Sequence, residues 1–282
     1  MSAIMRLTFL EMLKKKILYL ALAMTAVFFI FYGVALHYVY ASLRNMEPLM
    51  KTALSGQLMS LGVYITGFII AFLSVFASAG AISSEIEQGT YDAIATKPIP
   101  RYKLLIGRFL GIVIVLLGYL VFMLGTTVVL NVVIGHGVVK YFSLATFLKS
   151  LSVFALLPIL LVSVGIFFSC SMSTMASGVT LVILYFCAMI GGILEQVGQM
   201  ITTEAKHVIS NIGIIISLIM PSDIIYRKAS AVLFTTSSGF TVNLDQMLGG
   251  NTQPSNAMLI YIFIYIAAAV GLSIRKFGKR DL

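Results

Sequence analysis

Residues 150–194 contain no Asp, Glu, Lys or Arg. As one helix this run would reach roughly 68 Å at 1.5 Å per residue, more than twice the hydrocarbon thickness of a bilayer. A helix that long and apolar on every side belongs in lipid, so the run has to fold back inside a membrane. The small polar cluster Ser169-Cys170-Ser171-Met172-Ser173-Thr174 is the place where it can turn. That predicts two spans, near 148–169 and near 176–195. Pro158 falls inside the first, and a membrane helix tolerates it when neighbours satisfy the freed carbonyl. The rest of the chain has the same character. It is 60% hydrophobic and only 10% charged, against about 25% charged for a soluble domain.

Other uncharged runs supply the remaining spans. Residues 17–43 are too long for a signal-peptide core of about 7–15 residues, so an uncleaved first span is expected near 17–39. The second, third and last spans are expected near 58–83, 109–134 and 257–274. Residues 207–222 are also uncharged, but they are short for a span and end in Met220-Pro221-Ser222-Asp223. They suit a re-entrant or interfacial helix before span 6. Residues 1–16 predict an amphipathic helix at the interface, with Met5, Phe9, Met12 and Leu13 on one face and Glu11, Lys14 and Lys15 off it. The expected fold class is an all-α membrane protein with six transmembrane helices in a single domain over 1–282.

Charge sets the orientation. With both termini inside, twelve of the 19 Lys and Arg fall on inner segments (1–16, 84–108, 170–175, 275–282) and seven on outer ones. The positive-inside rule then places both termini and the loop 84–108 in the cytoplasm, and 196–256 outside. A seventh span at 207–222 would move the basic C-terminus to the wrong side. The net charge of +9 does not indicate nucleic acid. The basic residues sit in loops beside apolar runs, so membrane lipid is the expected partner and nucleic acid is not. Cys170 and Cys187 lie in apolar sequence at different depths and read as buried free thiols.

The loop after the second span carries its own helix signals. Its charges are Glu85, Glu87, Asp92, Lys97, Arg101, Lys103 and Arg108. Ser84 and Glu87 are spaced as a capping box, and Thr90 is placed to cap a short helix over 91–96. Lys97-Pro98-Ile99-Pro100 stops that helix, and Pro100 fits the start of the next. Gly89 would let the chain turn sharply out of the second span. Tyr91, Ile94 and Ala95 form one apolar face on a helix too short to be stable alone, which fits burial in a partner's groove.

Glu-x-Glu-x-Gly-Thr at 85–90, the short helix, Lys97-Pro98, then Arg-x-x-x-Leu-Ile-Gly-Arg-Phe-Leu-Gly at 101–111 resembles the cytoplasmic segment of type-2 permeases of ATP-binding-cassette (ABC) transporters. The resemblance extends to the six spans and the basic C-terminus at 277–282. Pro100 departs from the family, whose relatives often have a small polar residue there. The resemblance implies the permease subunit of an ATP-driven exporter, multi-pass in the cell membrane. It implies a second permease chain, identical or related, and ABC ATPase subunits that bind ATP and Mg. The helix at 91–96 would be the coupling helix. Its docking residues would be Glu85, Glu87, Gly89, Thr90, Tyr91, Asp92, Ile94, Lys97, Pro98 and Arg101. The alternative is a non-transporting membrane anchor or scaffold for a soluble partner.

The chain's own chemistry is sparse. It has no Gly-x-x-x-x-Gly-Lys-Ser/Thr, His-Glu-x-x-His or Gly-x-Ser-x-Gly motif, so it is expected to be no enzyme and to hold no ATP, cofactor or metal itself. His37, His136 and His207 have no ligand spacing. Glu85, Glu87 and Asp92 are solvated at the mouth of a span, which fits docking or capping rather than acid–base work. The span cores lack ionisable carboxylates and amines, which ion-driven carriers need. An energy source on another subunit follows.

Overall fold

The structure is a computed structural model and describes residues 2–14, 16–42, 48–87, 89, 100–134, 144–200, 205–234 and 254–279. Every regular element among them is a helix: α1 (Ser2–Lys14), α2 (Lys16–Ser42), α3 (Pro48–Ala79), α4 (Ser83–Glu87), α5 (Arg101–Ile134), α6 (Leu144–Phe154), α7 (Leu156–Ser169), α8 (Thr174–Met200), α9 (Ala205–Ile219), α10 (Ser222–Phe234) and α11 (Asn256–Gly278). Six helical stretches are long and apolar enough to cross a membrane: Leu18–Ser42, Leu54–Glu87, Arg101–Ile134, Leu144–Ser169, Thr174–Gly198 and Asn256–Gly278. The chain is the expected all-α, six-span membrane protein.

The fourth span is α6 and α7 joined at Ala155, whose amide still reaches the carbonyl of Leu151 at 2.9 Å. Pro158 lies in the first turn of α7, where its missing N–H is one that a helix start leaves unpaired anyway. The second span is the centre of the bundle. Its most apolar window is 72% buried, against 22% for the first span and 17% for the last, which face outward.

Lipid supplies no hydrophobic drive between helices, so small and polar residues hold the crossings. The Thr66 and Thr127 hydroxyls meet at 3.1 Å between α3 and α5. Asn131 donates to the Tyr32 hydroxyl at 2.8 Å, and Tyr32 donates to the Leu58 carbonyl at 3.0 Å. Gly62 leaves the space that the Tyr32 ring occupies.

Glycines also close the α8–α9 pair. A Cβ on Gly213 would lie 2.6 Å from the Glu195 nitrogen and 2.7 Å from the Gly191 oxygen. A Cβ on Gly198 would lie 2.9 Å from the Ser210 nitrogen. The two backbones touch without side chains between them.

α9 and α10 meet at Pro221 with a bend of 100°. At the bend, the Tyr261 and Tyr265 hydroxyls on α11 donate to the carbonyls of Leu218 and Ile219 at 2.7 and 2.8 Å. Further along α10, Lys228 donates to the carbonyl of Pro254 at 2.8 Å, just before α11 begins. The bend is therefore set against the interior of α11 and the returning arm against its start. Tyr265 is nine residues into α11 after Asn256, about 14 Å along the helix at 1.5 Å per residue.

α1 packs on the third span through Thr8 and Met12, while Phe9 is exposed beside Leu7 and Leu10. Thr8 sits against Gly111, where a Cβ would already come within 2.7 Å of it. One expectation needs correction. Cys170 is buried as expected, but Cys187 is exposed on the outer face of α8.

Candidate functional site

α4 has five residues, too few to hold a helix unaided. Its neighbours hold it. The Ser169 hydroxyl, at the end of α7, accepts from the amides of Ile82 and Ser83 at 3.0 and 2.9 Å. These are amides that a helix start leaves without intrahelical partners. The Ser83 and Thr174 hydroxyls meet at 2.8 Å, and Ser177 donates to the carbonyl of Ala79 at 2.6 Å. The polar cluster that breaks the long apolar run is thus also the bed on which the loop base lies.

Two carboxylates of α4 reach in opposite directions. Glu85 pairs with Arg108 of α5. Arg108 is only 4% exposed and also donates to the Ala81 carbonyl at 2.7 Å. Its guanidinium lies 3.7 Å from Glu11 of α1, a more solvated and therefore weaker contact. Glu87 accepts from both the amide and the hydroxyl of Thr174, at 2.8 and 2.9 Å. It caps the N-terminus of α8, where the helix dipole favours an anion. Four segments converge here: the N-terminal helix, the loop base, the third span and the fifth.

The Ser84–Glu87 capping box is not what forms. Ser84 donates back to the Gly80 carbonyl, and Glu87 is engaged by the start of the fifth span. Gly89 does adopt the left-handed backbone, with φ +67°, which favours glycine. Arg101 is the exposed first residue of α5, and the Pro100 carbonyl accepts from Lys103 at 2.9 Å. Thr90, Tyr91, Asp92, Ile94, Lys97 and Pro98, and with them the coupling helix, lie outside the described residues. Sequence reasoning missed Ser169, Thr174 and Arg108 as partners. The signal for the first two was a run of hydroxyls inside uncharged sequence.

A second polar constellation lies at the bend between α9 and α10. Arg227, 5% exposed, sits 2.6 Å from Glu195 and 2.8 Å from Asp223. Gly192 makes room for the Asp223 carboxylate, which a Cβ there would overlap. Beside it runs a narrow cleft lined by Tyr64, Phe68, Tyr185, Met189, Asp223 and Tyr226, among others. Asp223 and Arg227 belong to α10, outside the six span cores expected to lack ionisable groups, and Glu195 stands at the end of the expected fifth. Among the described residues no three His, Cys, Asp or Glu converge as a metal site.

A family model described as "ABC-2 family transporter protein" matches residues 2–282. A search of the curated proteins finds no match.

Proposed function

Because the chain belongs to the ABC-2 family of transporter proteins, we propose that it is the permease subunit of an ATP-driven exporter, coupled to ABC ATPase subunits through the loop at 84–108. ATP and Mg are held by that partner. Two permease chains, alike or related, pair in the cell membrane with lipid around them, and both termini are cytoplasmic. The single domain spans 1–282. The observation that carries the coupling is the grip on the loop base. Glu85 ties it to the third span through Arg108, and Glu87 ties it to the fifth through Thr174. A push on the loop from a moving ATPase reaches two spans at once, rather than only the third through the Pro98–Pro100 corner. Docking itself is assigned to Tyr91 and Ile94, with Glu85, Glu87, Gly89, Thr90, Asp92, Lys97, Pro98 and Arg101 around them.

The test is a pull-down of the cognate ATPase with the wild-type chain and with Tyr91→Ala/Ile94→Ser. Losing two buried apolar side chains costs about 2–5 kcal/mol, so affinity is expected to fall at least about tenfold while insertion stays intact. Unchanged capture and unchanged ATPase stimulation in lipid would remove the loop as the docking element and favour the scaffold alternative.

Orientation has its own measurement. In a background lacking Cys170 and Cys187, Ser255→Cys is expected to react with an impermeant thiol reagent in intact cells. Lys279→Cys is expected to react only after permeabilisation. Both residues are exposed. The reverse pattern would overturn the orientation drawn from the positive-inside count.

A further inference from the structure

The second span is broken over residues 80–82. α3 ends at Ala79 and α4 starts at Ser83. Local sequence does not account for the break. Residues 79–84 read Ala-Gly-Ala-Ile-Ser-Ser, without proline, and Gly80 stays out of the left-handed region. A continuous helix would bond the Ile82 amide to the Ser78 carbonyl, the Ser83 amide to Ala79 and the Glu85 amide to Ala81. Here those groups have other partners. The Ile82 and Ser83 amides donate to the Ser169 hydroxyl at 3.0 and 2.9 Å. The Ala79 carbonyl accepts from Ser177 at 2.6 Å, and the Ala81 carbonyl accepts from Arg108 at 2.7 Å. Inside the turn, the Ser78 carbonyl takes the Ala81 amide at 3.1 Å, and the Glu85 amide goes to Ile82 at 3.2 Å. The groups that would join the two helices are held by side chains of the third, fourth and fifth spans.

We propose that residues 80–82 form a two-state joint. In one state the side chains of Ser169, Ser177 and Arg108 hold the break. In the other, α3 and α4 take up their own helical bonds and fuse into one helix. The buried backbone groups have partners in both states, as they must. The side chains that let go are provided for as well. A serine in a helix can turn its hydroxyl to a carbonyl of the preceding turn, and Ser177 already lies 3.1 Å from the Thr174 carbonyl of its own helix. A proline-made break could not close in this way. Fusion swings α4, with Glu85 and Glu87, away from the fourth and fifth spans, so the state of the joint reports where the loop base stands. For its use in ATP coupling, the inference rests on the permease reading above.

The joint is tested on the full chain in lipid nanodiscs, without ATPase and in a background lacking Cys170 and Cys187. Ser169→Cys places a thiol under α4, where the native side chain is buried. N-ethylmaleimide is expected to reach it only while the helices are fused, so the rate follows the fused fraction. Gly80→Ala strengthens helix at the joint and should raise the rate about two- to fivefold, while Ala81→Gly should lower it by a similar factor. Ser177→Cys, equally buried, gives the same readout from the fifth span if Ser169→Cys fails to fold. Rates that ignore both substitutions, or that rise with both, would overturn the proposal. The coupling role is read with the cognate ATPase and the Ser83→Cys/Ser169→Cys pair, whose native hydroxyls lie 3.2 Å apart. Oxidation should pin the break, leaving capture intact and abolishing ATPase stimulation, and reduction should restore it. Full stimulation in the oxidised chain, or no cross-link at all, would overturn that role. Capture lost in oxidised and reduced chains alike would instead count against the permease reading and leave the maleimide rates standing.

Discussion

Arg108→Met is expected to lower the unfolding free energy of the purified chain by about 3–5 kcal/mol, the usual consequence of stripping one partner from a buried ion pair. Three groups lose their donor together. Glu85 is left with a carboxylate that is only 14% exposed, the Ala81 carbonyl loses its 2.7 Å bond, and Glu11 loses its attraction. The double variant Arg108→Met/Glu85→Gln should recover most of the loss, because no buried charge is then orphaned. Denaturation in mild detergent, followed by reactivity of buried Cys170, reads both. If the single and double variants unfold alike, the pair is not what fixes the loop base to the third span.

The second large effect is expected at Gly213. A valine there would drive its Cβ into backbone atoms on both Gly191 and Glu195, at 2.7 and 2.6 Å. Backbone cannot swing aside as a side-chain tip can, so α8 and α9 have to separate along their length. Overpacking a tight contact costs typically 1–3 kcal/mol and sometimes more. Here about 3 kcal/mol or above is expected, together with displacement of Glu195 from Arg227. Gly125→Ala on α5 is the control, since nothing lies within 4 Å of the Cβ it would add. It should leave stability unchanged or slightly raised, because alanine is the better helix former. Equal stability of the two variants would show that the α8–α9 contact is looser than described.

What could be read from the chain beforehand follows from the physics of each feature. The span count was legible because lipid fixes helix length, and uncharged runs record that length directly. The break before the last span was legible from Pro221, where α9 and α10 meet at a bend of 100°. The contacts at the two polar sites were not legible. Glu87 and Thr174 lie 87 positions apart, and Arg227 and Glu195 lie 32 apart. Nothing in local spacing links them. Local rules assigned Glu87 to its own helix start, and tertiary contact with the fifth span prevailed. The face that α1 packs on the third span was not legible for a related reason. Phe9 marks the apolar side, but the groove at Gly111 takes the smaller Thr8. A periodic pattern records which side of a helix is apolar, not the shape of what it meets.

The seat of α1 has a consequence for how the protein is made. Thr8 rests on Gly111 and Glu11 reaches Arg108, so the first helix docks on residues synthesised about a hundred positions later. At 5–20 residues per second, α1 is on its own for roughly 5–20 s before its site exists. Through that interval Leu7, Phe9 and Leu10, still exposed in the finished fold, are apolar side chains better suited to a bilayer surface than to water. Emergence of the third span from the ribosome is the event that converts the segment from a peripheral passenger into part of the bundle.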